Sequence, residues 1–290
     1  MPLAVCNGIR LHYQRLGRGP EVVLIHGLAT NLAFWYLRVA PLLRRHFCLI
    51  LYDLRGHGRS DMPPTGYTTA DMAADLHALL THLGVARVHL VGHSYGGAVA
   101  LHYAVLYPER VGSVTLADAR IRAFQPTQRL SDWPDAPRWA RQLHELDATA
   151  PLEDSEMGYR FMEALAKAQL RGQGLARREP RRFVPFGGMP HPSRTAAQWL
   201  RLLDTTTARK DFAALAGLTP ERIAGVTRPV LAIFGEKSHC LPSCWALQRH
   251  LPRCKVVLVP RAGHFHPLVR PVFFVRHVRR FLQEVTRDPC

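Results

Sequence analysis

Apolar residues recur along this chain in two rhythms, and the alternation between them predicts strands and helices in turn. Ile9-Arg10-Leu11-His12-Tyr13 switches between apolar and polar at each step, as an exposed antiparallel strand does. Val22-Val23-Leu24-Ile25 and Phe47-Cys48-Leu49-Ile50-Leu51-Tyr52 are unbroken apolar runs, which fit parallel strands buried on both faces. From Asp71 to Leu83 the spacing changes. Met72, Leu76, Leu79, Leu80 and Leu83 fall on one helical stripe, and Gly84 supplies the stop. Val88-His89-Leu90-Val91 reads as a strand, the stretch from Ala98 to Leu106 as a helix ended by Pro108, and Val114-Thr115-Leu116-Ala117 as the next strand. This βαβαβ order predicts a parallel sheet with helices on both faces.

Beyond about residue 120 the rhythm breaks. Helical segments follow, clearest from Glu156 to Leu170 and from Thr195 to Leu203, with no strand pattern until Val230-Leu231-Ala232-Ile233-Phe234 and Lys255-Val256-Val257-Leu258-Val259. Trp133, Trp139 and Trp199 fall in the helical stretch, as does a basic run holding Arg177, Arg178, Arg181 and Arg182. A last amphipathic helix carries Phe274, Val275, Val278, Phe281, Leu282 and Val285 on one face and Arg276, Arg279 and Arg280 on the other. The chain therefore divides into a core of residues 1–120 and 216–290 and a helical lid, 121–215, inserted over the carboxyl edge of the sheet, where open α/β sheets hold ligands.

The chemistry concentrates at Gly92-His93-Ser94-Tyr95-Gly96, which fits G-x-S-x-G between a strand and a helix. Such a bend lifts a serine hydroxyl above the sheet, and a side chain at either glycine would crowd the turn. His93 is expected to point away from the serine and pack. The loop from Asp53 to Asp61 contains Gly56-x-Gly58 but has Asp61 where a dinucleotide fingerprint needs a third glycine, so it reads as structural support.

Composition narrows the picture. The hydrophobic fraction of 47% suits a globular core. No apolar run is long enough to cross a bilayer, and the first residues show no charged segment followed by an apolar one, so neither membrane insertion nor secretion is expected. Six scattered cysteines without framework spacing fit free thiols in the cytoplasm. Cys240 and Cys244 lie near His239, His264 and His266, but without C-x-x-C spacing, so no metal site is expected. A net charge of +16 reads first as a soluble, arginine-rich surface; such a field can also attract anionic partners, an acidic acyl carrier protein among them. No nucleic-acid motif accompanies that charge, and no nucleic-acid partner is expected.

Taken in order, His26-Gly27, Asp53-Leu54-Arg55-Gly56-His57-Gly58-Arg59-Ser60, Gly92-His93-Ser94-Tyr95-Gly96-Gly97, Tyr107-Pro108-Glu109-Arg110-Val111 and Ala262-Gly263-His264 resemble the α/β-hydrolase family over nearly the whole chain. The resemblance implies a mostly parallel eight-stranded sheet with helices on both faces and a helical cap. It implies Ser94 as nucleophile, His264 as base (ahead of His266, two residues on), and the backbone N–H groups of Leu28 and Tyr95 as the oxyanion hole. No cofactor is implied.

The triad acid departs from the family pattern. The usual Gly-x-x-Asp loop after the seventh strand here reads Gly235-Glu236-Lys237-Ser238, with a neutral hydroxyl at the aspartate position. Asp118, ending the strand after the nucleophile helix, is similar to the relocated acid of certain haloalkane dehalogenases and polyketide thioesterases. Asp118 is the expected acid, and Glu236 is its rival. These residues imply a cofactor-independent serine hydrolase acting on an ester or thioester through an acyl-enzyme. Carbon–carbon bond hydrolysis, acyl transfer, or a ligand-binding protein with little turnover are the alternatives. Dehalogenation and epoxide opening fit less well, because those branches carry an aspartate nucleophile where Ser94 stands.

Overall fold

A computed structural model describes residues 2–145, 154–173, 186 and 191–287. The basic run at Arg177, Arg178, Arg181 and Arg182 lies outside the described residues. Eight strands form one sheet: β1 (Leu3–Cys6), β2 (Ile9–Leu16), β3 (Glu21–Ile25), β4 (Cys48–Tyr52), β5 (Val88–His93), β6 (Val111–Ala117), β7 (Val230–Gly235) and β8 (Cys254–Val259). Their order across the sheet is β1-β2-β4-β3-β5-β6-β7-β8. The pairs β1/β2 and β2/β4 are antiparallel, and every later pair is parallel. The molecule therefore has the α/β-hydrolase fold.

The unbroken apolar runs explain how the sheet is covered. Successive side chains point to opposite faces. Val23, Ile25, Ile50 and Tyr52 enter one core, shared with the helices Thr69–His82 and Tyr95–Leu106. Val22, Leu24, Leu49 and Leu51 enter the other, shared with Trp35 and with Phe274, Val278 and Phe281 of the helix Pro271–Arg287. Both faces are thus closed to water, as a parallel sheet requires.

One expectation needs correction. The Ile9–Tyr13 stretch is antiparallel and exposes Arg10, but it is less exposed than its alternation suggests and is not an edge strand, because β1 pairs with one side of β2 and β4 with the other. His12 is buried and its Nδ1 lies 2.7 Å from Asp53 Oδ2, so of the two polar positions only Arg10 faces water. Between β6 and β7 the described chain is helical, with Ala136–Glu145, Met157–Leu170 and Pro192–Thr205 as its longer helices. No helix among the described residues is long and apolar enough to cross a membrane.

Candidate active site

Ser94 stands between β5 and the helix Tyr95–Leu106 with φ 56° and ψ −125°, a conformation L-residues seldom adopt. The flanking glycines make the bend feasible. A Cβ on Gly92 would meet the Gly96 carbonyl oxygen at 2.2 Å, and one on Gly96 would meet the His26 carbonyl oxygen at 2.3 Å. Ser94 N–H donates to the Ala117 carbonyl at 3.0 Å, which ties the bend to β6.

The residue after that anchor is Asp118, also with positive φ (53°) and fully buried. Its backbone N–H donates to Ile233 O at 3.0 Å, fixing it against β7. Its carboxylate collects three donors. His264 Nδ1 lies 3.0 Å from Oδ1, Gly235 N–H donates to Oδ2 at 2.7 Å, and the Ser238 hydroxyl donates to Oδ1. Burial alone would raise this carboxyl. The hydrogen bond and charge of His264, the charge of His266 and the Gly235 amide outweigh it and hold Asp118 below the usual carboxylate range. An ionised Asp118 accepts the His264 Nδ1 proton, which leaves Nε2 with its lone pair. Ser94 and His264 line the same cavity.

The other candidates fall elsewhere. Glu236 is exposed and accepts the Arg261 backbone N–H at 2.8 Å, so it is engaged away from the imidazole. His266 is buried and its Nε2 donates to Ile233 O at 3.1 Å; burial pushes it down to about 4. Leu28 and Tyr95 line the cavity with Ser94, and the backbone N–H of neither donates to another described residue. The preceding loop is braced from below. Asp53 accepts Leu32 N–H at 2.8 Å and Arg59 N–H at 2.9 Å, and Leu54 N–H donates to His26 Nε2 at 3.0 Å. The Asp53–Asp61 loop thus acts as support. A Cβ at Gly58 would fall 2.2 Å from the Asp53 carboxylate.

Sequence reasoning missed two partners. Ser238, noted only as a lost acid, donates its hydroxyl to the Asp118 carboxylate, and its oxygen also accepts Cys240 N–H at 2.9 Å. His93 does pack, stacked 4.4 Å from Phe34, but its Nε2–H also donates to the His264 carbonyl at 2.9 Å and so holds the loop that carries His264. Burial lowers His93 well below the ordinary histidine value, so it stays neutral. The imidazole inside the elbow was the available signal; its partner, 171 positions away, was not readable.

The cavity, about 670 Å³, lies between the strand ends and the helical segment. Trp133, Trp139, Phe161 and Phe212 give it aromatic walls, with Trp133 stacked on His239 at 4.3 Å. Donor atoms of His239, Cys240 and His264 lie within 4.8 Å of one another, an arrangement that offers three donors to a soft cation. Two features oppose such use: His264 Nδ1 is engaged by Asp118, and burial raises the Cys240 thiol well above its usual value.

The sequence pattern of the alpha/beta hydrolase fold matches residues 20–271, and the chain belongs to that family. It is similar to a soluble epoxide hydrolase from a Corynebacterium species, 29% identical over 290 aligned positions that cover 96% of this chain and 95% of that protein. It is also similar to the 2-(acetamidomethylene)succinate hydrolase of Mesorhizobium japonicum, at 30% identity covering 94% of this chain and 92% of that protein. Among solved structures, the enol-lactonase from Burkholderia xenovorans superposes with a TM-score of 0.67 at 25% identity, over 97% of this chain and 100% of that one. The family and these relatives support a hydrolase.

Proposed function

We propose that this protein is a cofactor-independent serine hydrolase that cleaves an ester or thioester through an acyl-enzyme. The observation that carries the reading is the buried link from Asp118 to His264 Nδ1, in a cavity that also holds a serine on a strained bend. A free hydroxyl is a poor nucleophile, and an imidazole with its Nε2 lone pair available is the base it needs. Ser94 Oγ attacks the carbonyl carbon and His264 Nε2 takes the proton. Asp118 stabilises the imidazolium that forms. The oxyanion is received by the Leu28 and Tyr95 N–H groups, and removal of one such donor costs about 100-fold or more. Collapse expels the alcohol or thiol, which takes its proton from His264. Water, deprotonated by the same imidazole, then releases the acid and restores Ser94.

The similarity to an epoxide hydrolase does not redirect this reading, since the position for that branch's carboxylate nucleophile holds a hydroxyl. The Ser238 observation bears on the ligand-binding alternative. The absent carboxylate favoured that alternative, whereas a Ser238 hydroxyl that donates to Asp118 supports a working triad with its acid moved one strand across. Cys6, Cys48, Cys240, Cys244 and Cys254 are free thiols, which supports a reducing, cytoplasmic setting.

A fluorophosphonate tests the assignment. Peptide mapping of the labelled protein is expected to place the adduct on Ser94, and Ser94→Ala is expected to take no label. An adduct on another residue, or labelling that survives the substitution, contradicts the proposal.

A further inference from the structure

His264 sits in a chain of ring contacts that begins outside the sheet. Trp133 is stacked on His239, with ring centroids 4.3 Å apart and planes 12° from parallel. The His239 ring lies 4.8 Å from that of His264. The His264 ring lies 4.8 Å from that of His93, which stacks on Phe34 at 4.4 Å. Five rings thus join the helical segment between β6 and β7 to the core, with His264 in the middle.

Both ends of the chain are fixed. At the core end Phe34 is fully buried, and His93 is tied to the His264 carbonyl. At the other end Trp133 is buried and meets Phe161 and Trp139 edge-on, at 5.0 and 6.3 Å. The loop that carries His239 is pinned to the same segment. Gln125 Nε2 donates to the His239 carbonyl at 2.8 Å, and the Ser243 hydroxyl donates to Gln125 Oε1 at 2.9 Å. Ile121 N–H donates in turn to the Ser243 oxygen at 2.9 Å. Burial, helped by the charge of His264, pushes His239 down to about 3. Its ring therefore stays neutral and sets no like charge beside an imidazolium.

The bond from Asp118 fixes His264 at Nδ1. The last torsion of a histidine side chain is broad, so a ring held at one atom can still turn and carry its other nitrogen off line. Rings packed against it remove that freedom. We propose that His239, backed by Trp133, is a positioning residue that clamps the His264 imidazole at the angle from which Nε2 serves Ser94. The helical segment then helps to hold the triad as well as to wall the cavity. This rests on the serine-hydrolase reading for the role of His264.

Diisopropyl fluorophosphate, a small probe that needs little of the aromatic wall, tests the clamp alongside p-nitrophenyl butyrate. In His239→Ala, kcat and the rate of Ser94 modification are expected to fall together by about tenfold, the size of one aromatic contact, with KM little changed. His239→Phe keeps a ring and is expected to recover most of both rates. Trp133→Leu, whose ring contacts reach the base through His239, is expected to slow Ser94 modification as His239→Ala does. It carries the test alone should His239→Ala fail to fold. The double variant is expected to be no slower than either single one. A raised KM with an unchanged modification rate would make both rings substrate wall only and overturn the proposal. So would His239→Phe as slow as His239→Ala, or additive losses in the double variant. Crystal structures of His239→Ala and His239→Phe give a readout independent of turnover, with the His264 ring expected to lose its single orientation only in His239→Ala. If the wild-type protein reacts with neither reagent, the hydrolase reading falls and the crystal structures alone decide. Release of the imidazole only in His239→Ala then supports the clamp, and one orientation in both variants overturns it.

Discussion

The carboxyl ends of β6 and β7 lie side by side, and in the proposed mechanism they divide a task that in most of the family falls to one of them. At the end of β7 the loop holds Glu236, turned to the Arg261 amide, and Ser238, a neutral hydroxyl. At the end of β6 stands Asp118, buried, ionised and bonded to His264. The β7 end has not been emptied of purpose. Its Gly235 amide and its Ser238 hydroxyl both donate to the Asp118 carboxylate. What the histidine requires is negative charge at a point in space beside Nδ1, and either strand end reaches that point. The strand that gives up the charge then supplies the hydrogen bonds that steady it.

This division of labour predicts unequal responses. Asp118→Asn carries the largest effect, because an amide neither stabilises the imidazolium nor secures the tautomer; kcat on p-nitrophenyl butyrate is expected to fall about ten-thousand-fold. A loss under tenfold would place the acid elsewhere. Ser238→Ala leaves the charge but removes one of its donors. An expected drop of about tenfold in kcat with KM little changed would mark it as a positioning residue. An unchanged kcat would confine Ser238 to the loop.

Stability against acid is the next and smaller effect. The Asp118 carboxyl is lowered in the folded state, so its contribution is fully present above the unfolded carboxylate value near ~3.9 and drains away as pH falls toward the folded value. The free energy of unfolding of the wild-type protein in urea is expected to fall between about pH 4 and pH 2, by up to about 1.4 kcal/mol per pH unit from this group. Asp118→Asn is expected to flatten that limb, and an identical slope in the two proteins would refute the linkage. Glu236→Gln is the smallest effect. Its carboxylate holds only a loop amide, and kcat is expected to stay within about twofold of wild type.

Legibility in the sequence followed the range of the interactions. The parallel strands could be read because burial on both faces leaves a continuous apolar run, as at Val22–Ile25. The elbow was readable because its steric requirements lie within five residues. The helix predicted from Asp71 begins at Thr69 in the structure, where the Thr68 hydroxyl and the Asp71 carboxylate form a capping box that the apolar stripe does not report. β1 carries too few residues for its alternation to stand out. His264 and Asp118 were legible as types at strand ends, but the supports were not. Ser238 reaches a carboxylate 120 positions away and His93 a carbonyl 171 positions away, contacts set by strand order rather than by local pattern.

The rate of phosphonylation by a fluorophosphonate, followed by intact mass in wild type, Asp118→Asn and Glu236→Gln, puts the relocated acid to the most direct test. Wild type and Glu236→Gln are expected to react at the same rate on Ser94, and Asp118→Asn slower by orders of magnitude. Equal rates in wild type and Asp118→Asn, with Glu236→Gln slowed instead, would contradict the account.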